Sequence, residues 1–250
     1  MVTGKHRVDK KVRYGRIRIY LLIFFLLSTL IFIILFKTNY FEISDIIVKN
    51  NIELSKEEIV SYSGVRIGDN TFKLKISDIS EKIIKTPFVK DVTIKRKLPD
   101  KLMIEVVERE KIAAISYMGL YFFVDNEGVI LYTAHEIDDT YIIEGFEFES
   151  FTEGEKIKVK SDEDLQKAIG LCSLLQNSEL EIKPKIACIE GEFVLYLNDN
   201  FKIKLGRGEN LERRFAIFEA IYRDLTSKNI DSGVVDISHD GYPTYSPFGE

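Results

Sequence analysis

Residues 19–36, IYLLIFFLLSTLIFIILF, run eighteen positions without a charged side chain. A helix rises about 1.5 Å per residue, so the run covers about 27 Å, close to the hydrocarbon thickness of a bilayer. A soluble core helix would place polar residues on every turn, and a secretory segment would be shorter and end in small residues at a cleavage site. Here LFKTNYF follows instead. The run is expected to be an uncleaved transmembrane anchor, which makes the rest of the chain a tail on one face of a membrane and a folded body on the other.

Charge orients the anchor. Residues 1–18 carry Lys5, Arg7, Lys10, Lys11, Arg13, Arg16 and Arg18 against Asp9 alone, whereas only Lys37 follows the run before Glu42 and Asp45. The bias of Lys and Arg toward the cytoplasmic side predicts a basic cytoplasmic tail, 1–18, and an extracytoplasmic body, 37–250. Topology and attraction to anionic lipid account for the tail without a cytoplasmic partner. The remaining 28 cations face 39 acids, so the body is acidic and lacks the basic patch of a nucleic-acid binder. In such a compartment disulfides are permitted, yet two cysteines are too few for a disulfide-built scaffold. Cys172 falls on an apolar helical stripe with Leu165, Ala168, Ile169 and Leu175, and Cys188 in the strand-like KIACIE; two buried free thiols are expected over a bridge.

The body reads as two units. Residues 41–48 form a strand, LSKEEIVSYSG a helix with Ser55 and Glu58 at capping-box spacing and Gly64 at its end, and SDISEKIIKT a second helix stopped by Pro87. Two strands follow around a Pro99-Asp100 turn, one with Phe88, Val92 and Ile94 on a face, the other with Leu102, Ile104 and Val106. That order makes a small α+β unit with both helices on one face of a sheet. Further on, YFFVDNEGVIL reads as a hairpin turning at 126–128, YIIEGF as a strand, 162–176 as a helix and IACIEGEFVLYLNDNFKIKLG as three strands. A long helix with Leu211, Phe215, Phe218, Ile221, Tyr222 and Leu225 on one face precedes SGVVDISHDGYPTYSPF, a closing strand and tail. The fold class is α+β: one transmembrane helix, a βααββ unit, and a mixed β domain with two longer helices.

Catalytic patterns are missing from the sequence. His6, His135 and His239 stand far apart without a second ligand at zinc spacing, no Gly-x-Ser-x-Gly occurs, and no Ser precedes a Lys by three positions. The Gly-Arg-Gly at 206–208 lacks the Lys-Ser/Thr of a phosphate loop and reads as a turn into a helix. Glu105 faces away from Glu108 and Glu110 across a strand, the pattern of a solvated sheet edge, and KIKVK at 156–160 reads as a charged loop. A protein without cofactor, metal or enzymatic activity is expected.

The strand-helix-helix-strand-strand order, with GDNTF, TPFVKDVTIKRKLPDKLMIEVVERE and the span upstream, resembles the POTRA domain of the FtsQ/DivIB family of bacterial division proteins. Arg96, Pro99, Val106, Glu108 and Arg109 match the family's positions, the Asp-x-x-Gly hairpin at 125–128 is similar to one its members carry, and the second half is similar to their β domain. The resemblance implies a POTRA domain at 41–110, a β domain at 111–247, and a non-enzymatic scaffold at the division septum. It implies FtsL-type and FtsB/DivIC-type bitopic proteins as partners, with the septal peptidoglycan synthase as a further candidate. An anchored cell-wall enzyme or glycan-binding module is the alternative. The family holds a partner segment on the last strand of its β domain, which points to 234–245 here. Val235 and Ile237 are expected to enter the core, leaving Val234, Asp236 and Ser238 available, the N–H of Ser238 facing outward, with His239, Asp240, Tyr242 and Tyr245 following. No Trp stands in this stretch to act as anchor.

Overall fold

A computed structural model describes residues 5–247, with side chains from residue 17 onward. The first helix, α1 (Lys5–Lys37), continues through the basic stretch as well as the apolar run. Its segment Ile17–Lys37 has a mean hydropathy of 3.0 and buries none of it in the protein, as a lipid-facing helix requires. Beyond it the packing separates residues up to 84 and 91–108 from residues 85–90 and 109 onward.

In the first unit a 3-10 turn (Asn39–Phe41) leads to β1 (Asp45–Lys49), α2 (Lys56–Ser63), α3 (Ile76–Ile84), β2 (Val89–Lys97) and β3 (Lys101–Glu108). The first strand starts later than the sequence suggests because residues 39–41 turn before extending. The sheet order is β1-β3-β2, β1 running parallel to β3. In β3, the central strand, consecutive Leu102, Met103 and Ile104 are all buried. Helix α2 starts with a full capping box: Ser55 Oγ accepts from the Glu58 N–H at 3.3 Å, and Glu58 Oε2 accepts from the Ser55 N–H at 2.8 Å. Gly64, at φ +68°, ends it. The peptide between Leu98 and Pro99, in the β2–β3 turn, is cis.

Two charged residues fasten loops to this sheet. Arg96 donates through Nε to the Thr71 carbonyl at 2.9 Å and through Nη2 to that of Leu74 at 2.7 Å, holding the α2–α3 connection. The Glu108 carboxylate accepts the N–H groups of Ile52, Glu53 and Leu54 at 3.1, 2.7 and 3.2 Å. Glu108 therefore does not belong to a solvated edge: it is the acceptor for a whole turn ahead of α2. Glu105 pairs with Lys95 at 2.9 Å.

The second unit holds β4 (Ala113–Tyr117), β5 (Leu120–Val124), β6 (Ile130–Ala134), β7 (Tyr141–Glu144), β8 (Phe148–Ser150), β9 (Lys158–Val159), α4 (Asp162–Gln176), β10 (Lys185–Ile189), β11 (Glu192–Asn198), β12 (Phe201–Gly206), α5 (Leu211–Ser227), β13 (Gly233–Asp236) and β14 (Thr244–Ser246). Nine of these strands make one mixed sheet in the order β14-β13-β12-β11-β10-β7-β4-β5-β6, and β8 pairs with β9. The KIKVK stretch is thus not a loop. Ile157 and Val159 are buried, while Lys156 and Lys160 pair with Asp162 and Glu147.

Alternating residues of the long sheet, among them Ile115, Phe122, Ile143, Ile186, Phe193, Leu195, Ile203 and Val235, pack with α4 and α5 into one core. Cys172 and Cys188 belong to that core and are unbridged. Burial pushes the Cys172 thiol far above its ordinary range, so it acts as a small apolar residue. The β5–β6 turn is built on Asp125, whose Oδ1 accepts the N–H groups of Glu127 and Val129 at 2.9 and 2.8 Å while Oδ2 takes Arg109 Nη1 at 2.5 Å.

Candidate partner-binding edge

A sheet that is not closed into a barrel has two edges, and each leaves a row of N–H and C=O groups to be satisfied. At the β6 end the protein satisfies its own. The Ile130 N–H donates to the Glu155 carbonyl at 3.0 Å, the Gly154 N–H to the Ile130 carbonyl at 2.8 Å, and Glu153 Oε1 accepts from both the N–H and the hydroxyl of Thr133 at 3.0 and 2.9 Å. At the other end lies β14, three residues long, and among the described residues nothing pairs with its outer side.

The elements behind this edge follow from α5. Its apolar stripe buries Phe215, Phe218 and Leu225 and half-buries Leu211, Ile221 and Tyr222 against the sheet. Arg214 projects from the first turns and donates through Nη1 to the carbonyls of Leu205 and Ile237 at 2.7 and 2.8 Å, and through Nε to Glu209 at 2.9 Å. One guanidinium thereby ties the end of β12 to the residue after β13. β13 runs parallel to β12, Val235 opposite Ile203, and β14 runs back antiparallel, with Val234 opposite Ser246, Val235 opposite Tyr245 and Asp236 opposite Thr244.

This register changes the expected edge. Val235 and Ile237 enter the core at 0 % and 3 % exposure, as alternation requires. The strand carrying Val234 and Asp236, however, is paired on both sides; the tail after the turn is a strand of its own and takes the edge position. Ser238 does not offer an outward ladder N–H, because that group donates to Asp236 Oδ1 at 2.9 Å and the Ser238 hydroxyl reaches the same oxygen at 2.6 Å. Partial burial works against the Asp236 charge, but these two hydrogen bonds, with Lys204 and His239 nearby, bring its pKa below the ordinary carboxylate value. The His239 ring stands 3.7 Å from Asp236.

Of the remaining residues, Asp240 and Tyr242 sit on the exposed turn between β13 and β14, and Tyr242 is 93 % exposed. Tyr245 lies back on the protein, its hydroxyl donating to the Ser232 carbonyl at 2.9 Å. The notch bounded by Arg214, Ile217, Ile237, His239 and Pro243 has a volume of about 30 Å³, room for one water and not for a side chain. What the edge can offer a partner is therefore main-chain hydrogen bonds along β14 and the exposed ring of Tyr242. Arg214 and Gly233, which shape it, carry no sequence pattern that marks them beforehand.

An N-terminal helix long and apolar enough to cross a membrane, the βααββ unit and the β unit with its uncovered edge together define a protein of the POTRA type. The match is specific: residues 41–109 fit the POTRA domain, FtsQ-type, and residues 114–238 fit the C-terminal region of cell division protein FtsQ/DivIB. The chain belongs to the FtsQ/DivIB family and is a cell division protein. It is 29% identical to cell division protein DivIB of Clostridium botulinum strain Hall over 97% of this chain and 96% of that one. With DivIB of Clostridium acetobutylicum it shares 30% identity over 84% of each chain, and with FtsQ of Syntrophotalea carbinolica 27% over 78% of this chain and 75% of that one. These relatives are named as division proteins and not as enzymes. The family match stops at residue 238, short of β14.

Proposed function

We propose that this protein is a non-enzymatic scaffold of the division septum, with its N-terminus in the cytoplasm and its two folded units outside, and that β14 receives a strand from a bitopic partner of the FtsB/DivIC type. An FtsL-type protein joins the same assembly, and through it the complex bears on septal peptidoglycan synthesis. The observation that carries this reading is the asymmetry of the nine-stranded sheet: residues 153–155 cover the β6 edge, and among the described residues nothing covers β14. An added strand would satisfy β14's outward main-chain groups, and the sheet would continue. The one-sided charge of residues 1–18 supports the orientation.

Co-isolation of the full-length protein with FtsL-type and FtsB/DivIC-type partners tests the assignment. A chain ending at residue 243 should keep its membrane insertion and lose the FtsB/DivIC-type protein. Unchanged recovery would remove β14 as the docking strand. Protease added to wall-stripped cells should cut residues 37–250, and their protection would overturn the orientation.

A further inference from the structure

The end of the POTRA unit next to α1 combines features that a partner strand on β14 does not use. Three residues after α1, Tyr40 is 64 % exposed, and on the α2–α3 loop Ile67 is 63 % exposed. That loop is held firmly. The Gly68 N–H donates to the Ile43 carbonyl and the Ile43 N–H to the Asp69 carbonyl, both at 2.9 Å, and Asn70 Nδ2 donates to the Leu35 carbonyl at 2.9 Å. An aromatic series runs alongside: Phe36 and Phe72 have centroids 6.5 Å apart, Phe72 and Phe41 4.9 Å, and Phe41 and Tyr40 4.9 Å. Between them opens a cleft of about 470 Å³ bordered by Lys37 and Lys73 and by the acids Glu42 and Asp69, and no ion pair joins either lysine to an acid among the described residues.

We propose that the α2–α3 loop and the 3-10 turn are seated in the headgroup layer of the bilayer leaflet that α1 leaves, with Ile67 and Tyr40 at the acyl boundary and Lys37 and Lys73 toward lipid phosphates. Position carries the assignment. The Leu35 carbonyl lies within the last turn of the span, so Asn70 is bonded to an atom at the edge of the hydrocarbon layer. Ile67 is three residues from Asn70 and so no more than about 10 Å from it, which brings the headgroup layer, roughly 5–7 Å deep, within its reach. Tyr favours this interface because its ring is apolar and its hydroxyl polar, and lysines extend their ammonium groups to phosphate. The proposal concerns lipid and holds for either orientation of the chain, so it stands or falls separately from the partner strand.

The protein contains no Trp, which makes a single introduced indole an unambiguous reporter. The full-length Ile67→Trp protein in phosphatidylglycerol-containing nanodiscs should emit at shorter wavelength than in the unfolded chain. Lipids spin-labelled near the headgroup should quench it more than lipids labelled at the chain end. Ile52→Trp, 86 % exposed and beyond the far end of β1, is the water-facing control and should show neither effect. Tyr40→Trp provides a second reporter if Ile67→Trp disturbs the loop by circular dichroism. Emission and quenching of both reporters equal to those of Ile52→Trp would overturn the proposal, including in the case where a protein covers this face instead of lipid.

Discussion

The ring of Tyr245 lies so close over Gly233 that a Cβ built on the glycine would stand 2.6 Å from Cε2 of the ring, and 2.8 Å from the Ser246 carbonyl oxygen. Gly233 also holds φ +121°, a backbone state that other residues adopt only under strain. The glycine thus permits both the turn into β13 and the seating of β14. Gly233→Ala should cost about 2 kcal/mol in local stability. Its signature is faster hydrogen exchange at Thr244 and Ser246, whose N–H groups face β13, with β10 and β11 unchanged; equal protection in both proteins would show that β14 does not depend on this contact.

A second relationship at the same place predicts a pH effect. The folded-state pKa of Asp236 lies below its ordinary 3.8 because the Ser238 N–H and hydroxyl, with Lys204 and His239, outweigh partial burial. A depressed carboxylate contributes stability that is fully present above the ordinary value and is lost as pH falls through the lower, folded value. The β13–β14 turn should therefore loosen on acidification below 3.8, seen as broadening of the Ser238 amide resonance, and Asp236→Asn should abolish that dependence while weakening the turn at neutral pH. A Ser238 amide with the same pH profile in both proteins would detach the turn from this carboxylate.

Much of the architecture was legible because it depends on periodicity and local chemistry. The capping box at Ser55 and Glu58, the alternation of Leu102, Ile104 and Val106, and the stripe from Leu211 to Leu225 are patterns in which neighbours in sequence determine the outcome. Long-range acceptors were not legible. Nothing beside Glu108 in the chain announces that its carboxylate closes a turn at Ile52–Leu54, more than fifty residues away, so strand alternation alone assigned it to water. The edge failed for a related reason. Strand alternation distinguishes inward from outward residues but says nothing about what lies alongside, and the segment TYS is too short to register as a strand until Gly233 and Tyr245 bring it against β13.

The division of labour between the two tyrosines gives the sharpest test of the edge. Tyr245 is partly exposed, with its hydroxyl on the Ser232 carbonyl and its ring on Gly233, so its removal should unseat β14 and weaken partner binding only through the strand. Tyr242 has 93 % of its surface in water and no side-chain hydrogen bond among the described residues, so Tyr242→Ala should leave thermal stability unchanged. If the partner strand lies along β14, this ring stands beside its path and is the one large apolar group on the β13–β14 turn able to be covered. Truncating an aromatic anchor typically costs about 2 kcal/mol, which is roughly a thirtyfold rise in Kd. Titration of the purified full-length protein in nanodiscs with the extracytoplasmic segment of an FtsB/DivIC-type partner measures both variants. The expected pattern is weaker binding with intact stability for Tyr242→Ala, and weaker binding with faster exchange at Ser246 for Tyr245→Ala. Full affinity in Tyr242→Ala would assign recognition to the β14 main chain alone, and full affinity in both would place the partner elsewhere on the β unit.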